Sequence, residues 1–140
     1  MKKAFVIIFS IALLAVLFYS IWGRDIYYNF RDRGYWTELS SKITESNIDE
    51  VLLDYKVALE GEELKKFIMD SSKANYYKSN WRKEGPTGPI VTIKFKDGSW
   101  ENFQYWGKGI YETSYKKGQF LIQNLELDIV LEKYHINDSY

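Results

Sequence analysis

The sequence contains no cysteine and only one histidine among 140 residues. Without cysteine there is no disulfide, no thiolate nucleophile and no attachment point for the lipid of a lipoprotein. Transition metals are bound mainly by cysteine and histidine, so a metal site would need carboxylates almost alone. No stretch of aspartate and asparagine has the spacing of a calcium loop. We therefore expect neither a metal site nor a cofactor.

Catalytic motifs are also missing. No serine lies in a G-x-S-x-G turn, and Gly107 and Gly109 lack the spacing of a phosphate-binding loop. Glu62 and Glu63 are consecutive on a predicted helix, so they point in different directions and do not form a facing acid pair. The single histidine, His135, is expected just after the last helix, either as a cation that meets the helix C-terminus or as an exposed side chain, and not as a catalytic group. The sequence thus predicts no catalytic residue, and we expect that the protein is not an enzyme.

An uncharged run of 19 residues, 4–22, follows Lys2 and Lys3. As a helix it would span roughly 28 Å, close to the hydrocarbon thickness of a bilayer. Aromatic side chains at one end suit the membrane interface: Tyr19, Trp22, Tyr27 and Tyr28. We predict a single-pass transmembrane helix, a signal anchor, over residues 1–23.

Two alternatives concern this segment. Signal peptidase prefers small residues two apart, whereas Ser20 and Gly23 are three apart, so we favour an uncleaved anchor over a removable signal peptide. Lys and Arg are nearly balanced on the two flanks, but so short an N-terminal tail normally stays inside. We therefore expect a cell-membrane protein whose C-terminal domain is extracytoplasmic.

The rest of the chain has room for one domain, residues 42–140, after a juxtamembrane connector at 24–41 that we expect to break at Gly34. Residues 48–59 fit both an amphipathic helix and a strand. Alternating apolar residues favour the strand, although the helix stays open: Val51, Leu53, Tyr55, Val57 and Leu59.

Two helices are predicted in this domain. The first covers residues 62–74, with Gly61 as its N-cap and a buried stripe of Leu64, Phe67, Ile68 and Ser71. The second begins at the capping residue Asn124 and runs to Tyr134.

Two hairpins are predicted between these helices. In residues 89–105, only an odd-length loop places Val91, Ile93, Phe103 and Tyr105 on one face. We therefore predict a three-residue loop with Gly98 in the left-handed conformation. The second hairpin, residues 109–123, turns at Lys-Lys-Gly, where we expect Gly118 to take positive φ. The predicted fold is α+β: an antiparallel sheet of four or five strands with two helices packed on one face.

Residues 62–134 resemble small uncharacterised domains of membrane-anchored proteins and lipoproteins from Gram-positive bacteria. The resemblance lies in the helix EELKKFI, the loop NWRKEGPTGP, the hairpin VTIKFKDGS, the aromatic strand ending in YW and a closing helix. It implies an extracytoplasmic setting and transfers no functional residue. The absence of a lipid-bearing cysteine departs from the lipoprotein members.

Charge and aromatic residues concentrate in one region. Residues 73–117 hold nine basic and four acidic side chains, a net charge of +5. Aromatic rings beside cations can stack on sugars or bases while the cations meet phosphate or carboxylate. The residues predicted to bind a ligand are Lys73, Tyr76, Tyr77, Lys78, Trp81, Arg82 and Lys83. The bland alternative is that the aromatics fill the core and that the charge blocks neutralise one another.

The sequence therefore predicts a non-catalytic binding or sensing domain for an anionic cell-wall polymer or lipid headgroups. The alternative is an accessory or immunity-type subunit that docks on another membrane protein. We expect no nucleic-acid partner.

Overall fold

The computed structural model describes residues 1–77 and 88–126. The chain divides into two compact units, Met1–Arg31 and Asp32–Tyr140. Across the described residues the α-helices are α1 (Lys2–Phe18), α2 (Arg24–Lys42) and α3 (Gly61–Ser72). The strands in the same part of the chain are β1 (Ile48–Leu53), β2 (Val57–Ala58), β3 (Asn75–Tyr77), β4 (Ile90–Phe95), β5 (Trp100–Gly107), β6 (Ile110–Tyr115) and β7 (Gly118–Gln123).

The first unit is helical from Lys2 onward, and one π-helical turn, Tyr19–Gly23, joins α1 to α2. A Cβ at position 23 would come within 2.5 Å of the Tyr19 ring, so glycine lets this ring lie against the backbone. No residue of α1 is buried. The continuous helical segment Lys2–Lys42, which begins with α1, is long and apolar enough to cross a membrane by length and composition. The predicted N-terminal apolar helix is thus confirmed.

The expected break at Gly34 is wrong, because α2 continues through it to Lys42. A glycine inside a helix costs about 1 kcal/mol. Burial of Trp36 and Leu39 outweighs this cost, since full burial of one large apolar side chain contributes about 1.5–3 kcal/mol. The second half of the expected connector is therefore part of the folded domain.

The described strands form a seven-stranded antiparallel sheet in the order β2-β1-β4-β5-β6-β7-β3. The α+β class is confirmed, whereas the expected number of four or five strands is wrong. The unexpected strands, β2 and β3, have only two and three residues. Such short segments carry no readable alternation, because the period of a strand is itself two residues.

Residues 48–59 contain a strand, as predicted, but the chain then reverses into β2. Asp54 and Tyr55 occupy the turn with φ of 47° and 60°. The Asp54 side chain accepts a hydrogen bond from the Ile90 N–H at 2.9 Å, and the Asp54 N–H donates to the Ile90 carbonyl at 2.8 Å. The two hydrogen bonds fix a turn that the backbone alone would disfavour.

The predicted three-residue loop between β4 and β5 is confirmed. The Phe95 N–H donates to the Ser99 carbonyl at 2.8 Å, and Gly98 has φ of 87°. This register places Val91 opposite Phe103, and both side chains are buried. The loop length therefore sets which face of both strands enters the core.

The turn between β6 and β7 differs from the prediction. Tyr115 pairs with Gly118, so the loop has two residues, and Lys116 and Lys117 have φ of 48° and 65°. Gly118 is needed for space instead, because a Cβ there would lie 2.6 Å from Asp32 Oδ1 and 2.8 Å from the Tyr35 ring. The glycine follows the turn and allows α2 to approach the start of β7.

Both α2 and α3 cover the same face of the sheet, the inner face, and share one apolar core with it. The predicted stripe of α3 is confirmed, since Phe67, Ile68 and Ser71 are buried and Leu64 packs against the core. The cap differs: Glu60 is the N-cap residue, and Gly61 is the first helical residue.

The second predicted helix lies outside the described residues except at its start. There the Asn124 Oδ1 accepts a hydrogen bond from the Glu126 N–H at 3.0 Å, the geometry of an N-cap.

We predict that Lys117→Gly stabilises the protein by about 1 kcal/mol, because an L-residue with positive φ costs roughly this amount. Gly118→Ala should instead destabilise it by about 1–3 kcal/mol through overpacking against Asp32 and Tyr35. Thermal unfolding followed by near-ultraviolet circular dichroism measures both. Equal unfolding temperatures for the two variants would contradict the assigned turn.

A second prediction compares two buried tyrosines. The Tyr111 hydroxyl has no hydrogen-bond partner within the described structure, whereas the Tyr115 hydroxyl donates to Glu38 at 3.1 Å. Tyr111→Phe should therefore stabilise the fold by about 1 kcal/mol, and Tyr115→Phe should destabilise it by a similar amount. Chemical denaturation of both variants provides the measurement. The free energy of unfolding should fall with denaturant concentration at the same slope in both variants. A loss of stability in Tyr111→Phe would show that its hydroxyl has a partner.

Candidate functional site

The two faces of the sheet have different chemistry because side chains alternate along each strand. The inner face is apolar and covered by α2 and α3. The opposite, outer face carries mainly polar and aromatic side chains. Cross-strand pairing places Gln104 beside Glu112, Glu112 beside Leu121, and Leu121 beside Tyr77 on this face. Of these side chains, Tyr77 is exposed and Leu121 is buried.

An open groove of about 380 Å³ lies where β3 forms one edge of the sheet. Its lining residues come from the end of α3, from β3, and from the end of β7 with the segment that follows: Lys73, Asn75, Tyr77, Gln123, Asn124, Leu125 and Glu126. The groove therefore combines one cation, one exposed ring, three amide side chains, one carboxylate and the exposed apolar side chain of Leu125.

Two hydrogen bonds hold the walls of the groove in place. The Asn124 side-chain amide donates to the Asp70 carbonyl on α3 at 2.8 Å. Behind β3, the Trp36 indole N–H donates to the Ala74 carbonyl at 2.8 Å, within the core. The first hydrogen bond joins the segment after β7 to α3, and the second joins α2 to the residue before β3.

The predicted binding residues separate into three groups. Lys73 and Tyr77 both line the groove, and Tyr77 is 41% exposed. Tyr76 faces the other way, where its ring lies 5.9 Å from that of Phe120 and beneath the guanidinium of Arg33 at 5.1 Å. Outside the described residues lie Lys78, Trp81, Arg82 and Lys83.

The charge of the groove in the described residues is balanced rather than basic. Lys73 is the cation and Glu126 the carboxylate among the lining side chains. Glu126 also approaches Lys66 at 3.7 Å, and Lys66 binds Asp70 at 2.7 Å. The hydrogen bond with Asp70, followed by its charge, raises the pKa of Lys66, so the cation persists through neutral pH. These contacts partly neutralise the acidic wall.

The predicted interface aromatics are all exposed along the first helical segment: Tyr19, Trp22, Tyr27 and Tyr28. The Arg31 guanidinium lies 4.6 Å from the Tyr28 ring centre. Aromatic rings and arginines at the end of an apolar helix are typical of a headgroup layer. Their contact with a membrane stays a prediction.

A second polar and aromatic region of the outer face was not predicted. Tyr55 is 57% exposed and Trp100 is 60% exposed. The Asn102 side-chain amide donates to the Tyr55 hydroxyl at 3.2 Å and accepts from Thr92 at 2.7 Å. Sequence alternation had placed Tyr55 in the buried set of one long strand. The only residue in the sequence that indicated a turn at this point was Asp54, directly before Tyr55, because aspartate tolerates positive φ.

Two further groups with a shifted pKa, Asp97 and Glu38, lie away from both regions, where the hairpin tips meet the end of α2. Hydrogen bonds from the side chain and backbone of Ser99, and then from Lys42, lower the pKa of Asp97 to about 2. A hydrogen bond from Lys116, and then one from Tyr115, lower the pKa of Glu38. These contacts attach α2 to the tips of both hairpins, so their role is to stabilise the fold.

Glu101 has the opposite shift. It pairs with Ile93 on the inner face and is half-buried. Burial raises its pKa to about 7, and the nearby positive charge of Lys42 only partly offsets this effect. The side chain therefore changes charge near neutral pH.

In residues 1–77 and 88–126, no three side chains of His, Asp or Glu come close enough together to hold a metal ion. Comparison with protein-family models, with curated proteins and with solved structures finds no match to this chain. Its function must therefore be inferred from its own geometry.

We predict that Glu101→Gln stabilises the protein at pH 8 but not at pH 5. Because folding raises the pKa of Glu101 above its ordinary 4.5, the wild type loses stability as pH rises from about 4.5 to 7. Glutamine keeps the neutral form at every pH. The difference in unfolding temperature between the two proteins at each pH measures the effect. The same difference in unfolding temperature at pH 5 and at pH 8 would contradict the raised pKa of Glu101.

Proposed function

We propose that this protein is a non-catalytic binding module, tethered to the cell membrane by α1, with its folded domain on the extracytoplasmic side. The apolar, fully exposed α1 supports the tether, since such a surface is unfavourable in water. The groove at β3 supports the binding role. It is the observation that carries the proposal, because it brings Lys73 and Tyr77 together beside amide side chains.

The ligand we propose is an anionic group, a phosphate or carboxylate, of an envelope polymer or a lipid headgroup. The Lys73 ammonium can pair with the anion, while the Asn75 and Gln123 amides can donate hydrogen bonds to it. The Tyr77 ring offers a flat apolar surface beside these groups. In the sequence, three basic residues follow Tyr77 within six positions, Lys78, Arg82 and Lys83. Lys73 supports an anionic partner at this site, because the opposing Glu126 carboxylate is partly neutralised by Lys66 at 3.7 Å.

The test is co-sedimentation of the full-length protein in nanodiscs with isolated cell walls, and flotation with phosphatidylglycerol vesicles. We expect binding to one of these materials that weakens as salt rises, because exposed charge pairs are screened. The double variant Lys73→Ala, Tyr77→Ala should weaken binding about tenfold. Walls and vesicles distinguish the two sources of the anion.

The matched control for the double variant is Lys65→Ala with Met69→Ala. It removes one exposed cation and one exposed apolar side chain from α3, and neither residue lines the groove. Wild-type protein that binds neither walls nor vesicles at low salt would contradict the anionic ligand. An epitope tag after Tyr140 that protease cannot reach in intact protoplasts would contradict the extracytoplasmic placement.

A second function is favoured by one observation. β3 ends the order of the described strands, and its hydrogen-bonded neighbour there is β7. A short edge strand can accept another chain by strand addition. The protein could thus act as an accessory subunit that docks on another membrane protein. Crosslinking of the full-length chain in cells should then give one discrete adduct, and the absence of such an adduct would contradict this function.

A further inference from the structure

The outer face near β1, β4 and β5 presents two adjacent rows of side chains. Glu50, Lys94 and Trp100 pair across the three strands in the first row. The Glu50 carboxylate binds the Lys94 ammonium at 2.8 Å, so their charges cancel. In the next row, about 7 Å away along the strands, Asn102 pairs with Thr92, which is buried.

Tyr55 lies over the second row, where its hydroxyl accepts the hydrogen bond from Asn102 at 3.2 Å. Its backbone has φ of 60°, a region that a bulky residue seldom occupies, and Asp54 before it has φ of 47°. Glycine would adopt this turn without strain. The turn thus holds an exposed ring at a fixed place on the sheet, at some cost in backbone energy.

The chemistry of this patch suits a ligand that is polar but uncharged. Trp100 and Tyr55 offer two exposed rings on which the C–H faces of a sugar ring can pack. The Asn102 amide and the Glu50–Lys94 pair supply donors and acceptors for hydroxyl groups between them. Because Glu50 and Lys94 neutralise each other, this pair favours neither an anion nor a cation.

We propose that Tyr55, Trp100 and Asn102 form a second binding surface, which takes an uncharged polysaccharide. The surface lies on β1, β4 and β5 and the turn after β1, whereas the groove lies at the β7–β3 end of the sheet. It shares no residue with the groove, so this inference does not depend on an anionic ligand there. It adds a neutral polymer contact to a module whose other site is expected to respond to charge.

The test is isothermal titration of the full-length protein with chitohexaose and, separately, cellohexaose. The protein is held in nanodiscs of zwitterionic lipid rather than in detergent micelles, because detergents with sugar headgroups would compete with the oligosaccharide for the patch. We expect at least one oligosaccharide to bind with little dependence on salt, and Trp100→Ala to weaken binding about tenfold. Binding of chitohexaose alone would show that the acetamido group contributes.

Tyr55→Gly separates binding from folding. It removes the ring but relieves the positive φ, so the unfolding temperature should stay equal or rise while the affinity falls about tenfold. Met69→Ala, which removes an exposed apolar side chain from α3, should bind like the wild type. Failure to bind either sugar, or unchanged affinity in both Trp100→Ala and Tyr55→Gly, would overturn the proposal. Salt-sensitive wall binding through Lys73 and Tyr77 could still be observed in that case, so the two proposals fail independently.

Discussion

The buried hydrogen bond from the Trp36 indole N–H to the Ala74 carbonyl connects α2 to the point where α3 passes into β3. A buried carbonyl without a partner costs about 1–3 kcal/mol, and β3 is too short to hold itself on the sheet. The Trp36 ring also packs against Phe120, 6.4 Å away on β7, the neighbour of β3. One residue of α2 therefore fixes the edge strand and, with it, the groove.

Electrostatic contacts complete the attachment of α2 to the sheet. Lys42 pairs with Asp97 at 3.2 Å on the tip of one hairpin, and Glu38 binds Lys116 on the tip of the other. Exposed pairs of this kind contribute little individually, about 0–1 kcal/mol. Their effect is to select the angle of a helix whose apolar side chains already hold it on the inner face. The outer face then remains free of α2 and α3, and both proposed contact surfaces lie there.

The alternation of apolar and polar residues along a strand predicted some features of the sheet and could not predict others, for physical reasons. The three-residue loop followed from parity, because only one register buries both Val91 and Phe103. The groove residues Lys73 and Tyr77 were singled out from their types, but the same argument included Tyr76. Tyr76 and Tyr77 lie on opposite faces of β3. Which of them faces the core depends on the pairing with β7, 44–48 positions later in the sequence. No local pattern in three residues contains that information.

The sequence by itself determined the apolar N-terminal helix, the α+β class, the amphipathic α3 and the register of the central hairpin. Each of these follows from hydrophobic periodicity or from hydrophobic length, which are properties of neighbouring residues. Only the tertiary structure decided that α2 continues through Gly34, that Gly118 makes room for Asp32 and Tyr35, and that Tyr55 sits on a strained turn. In each case a contact between residues distant in the chain outweighs a local preference of about 1 kcal/mol, and local patterns do not record such contacts.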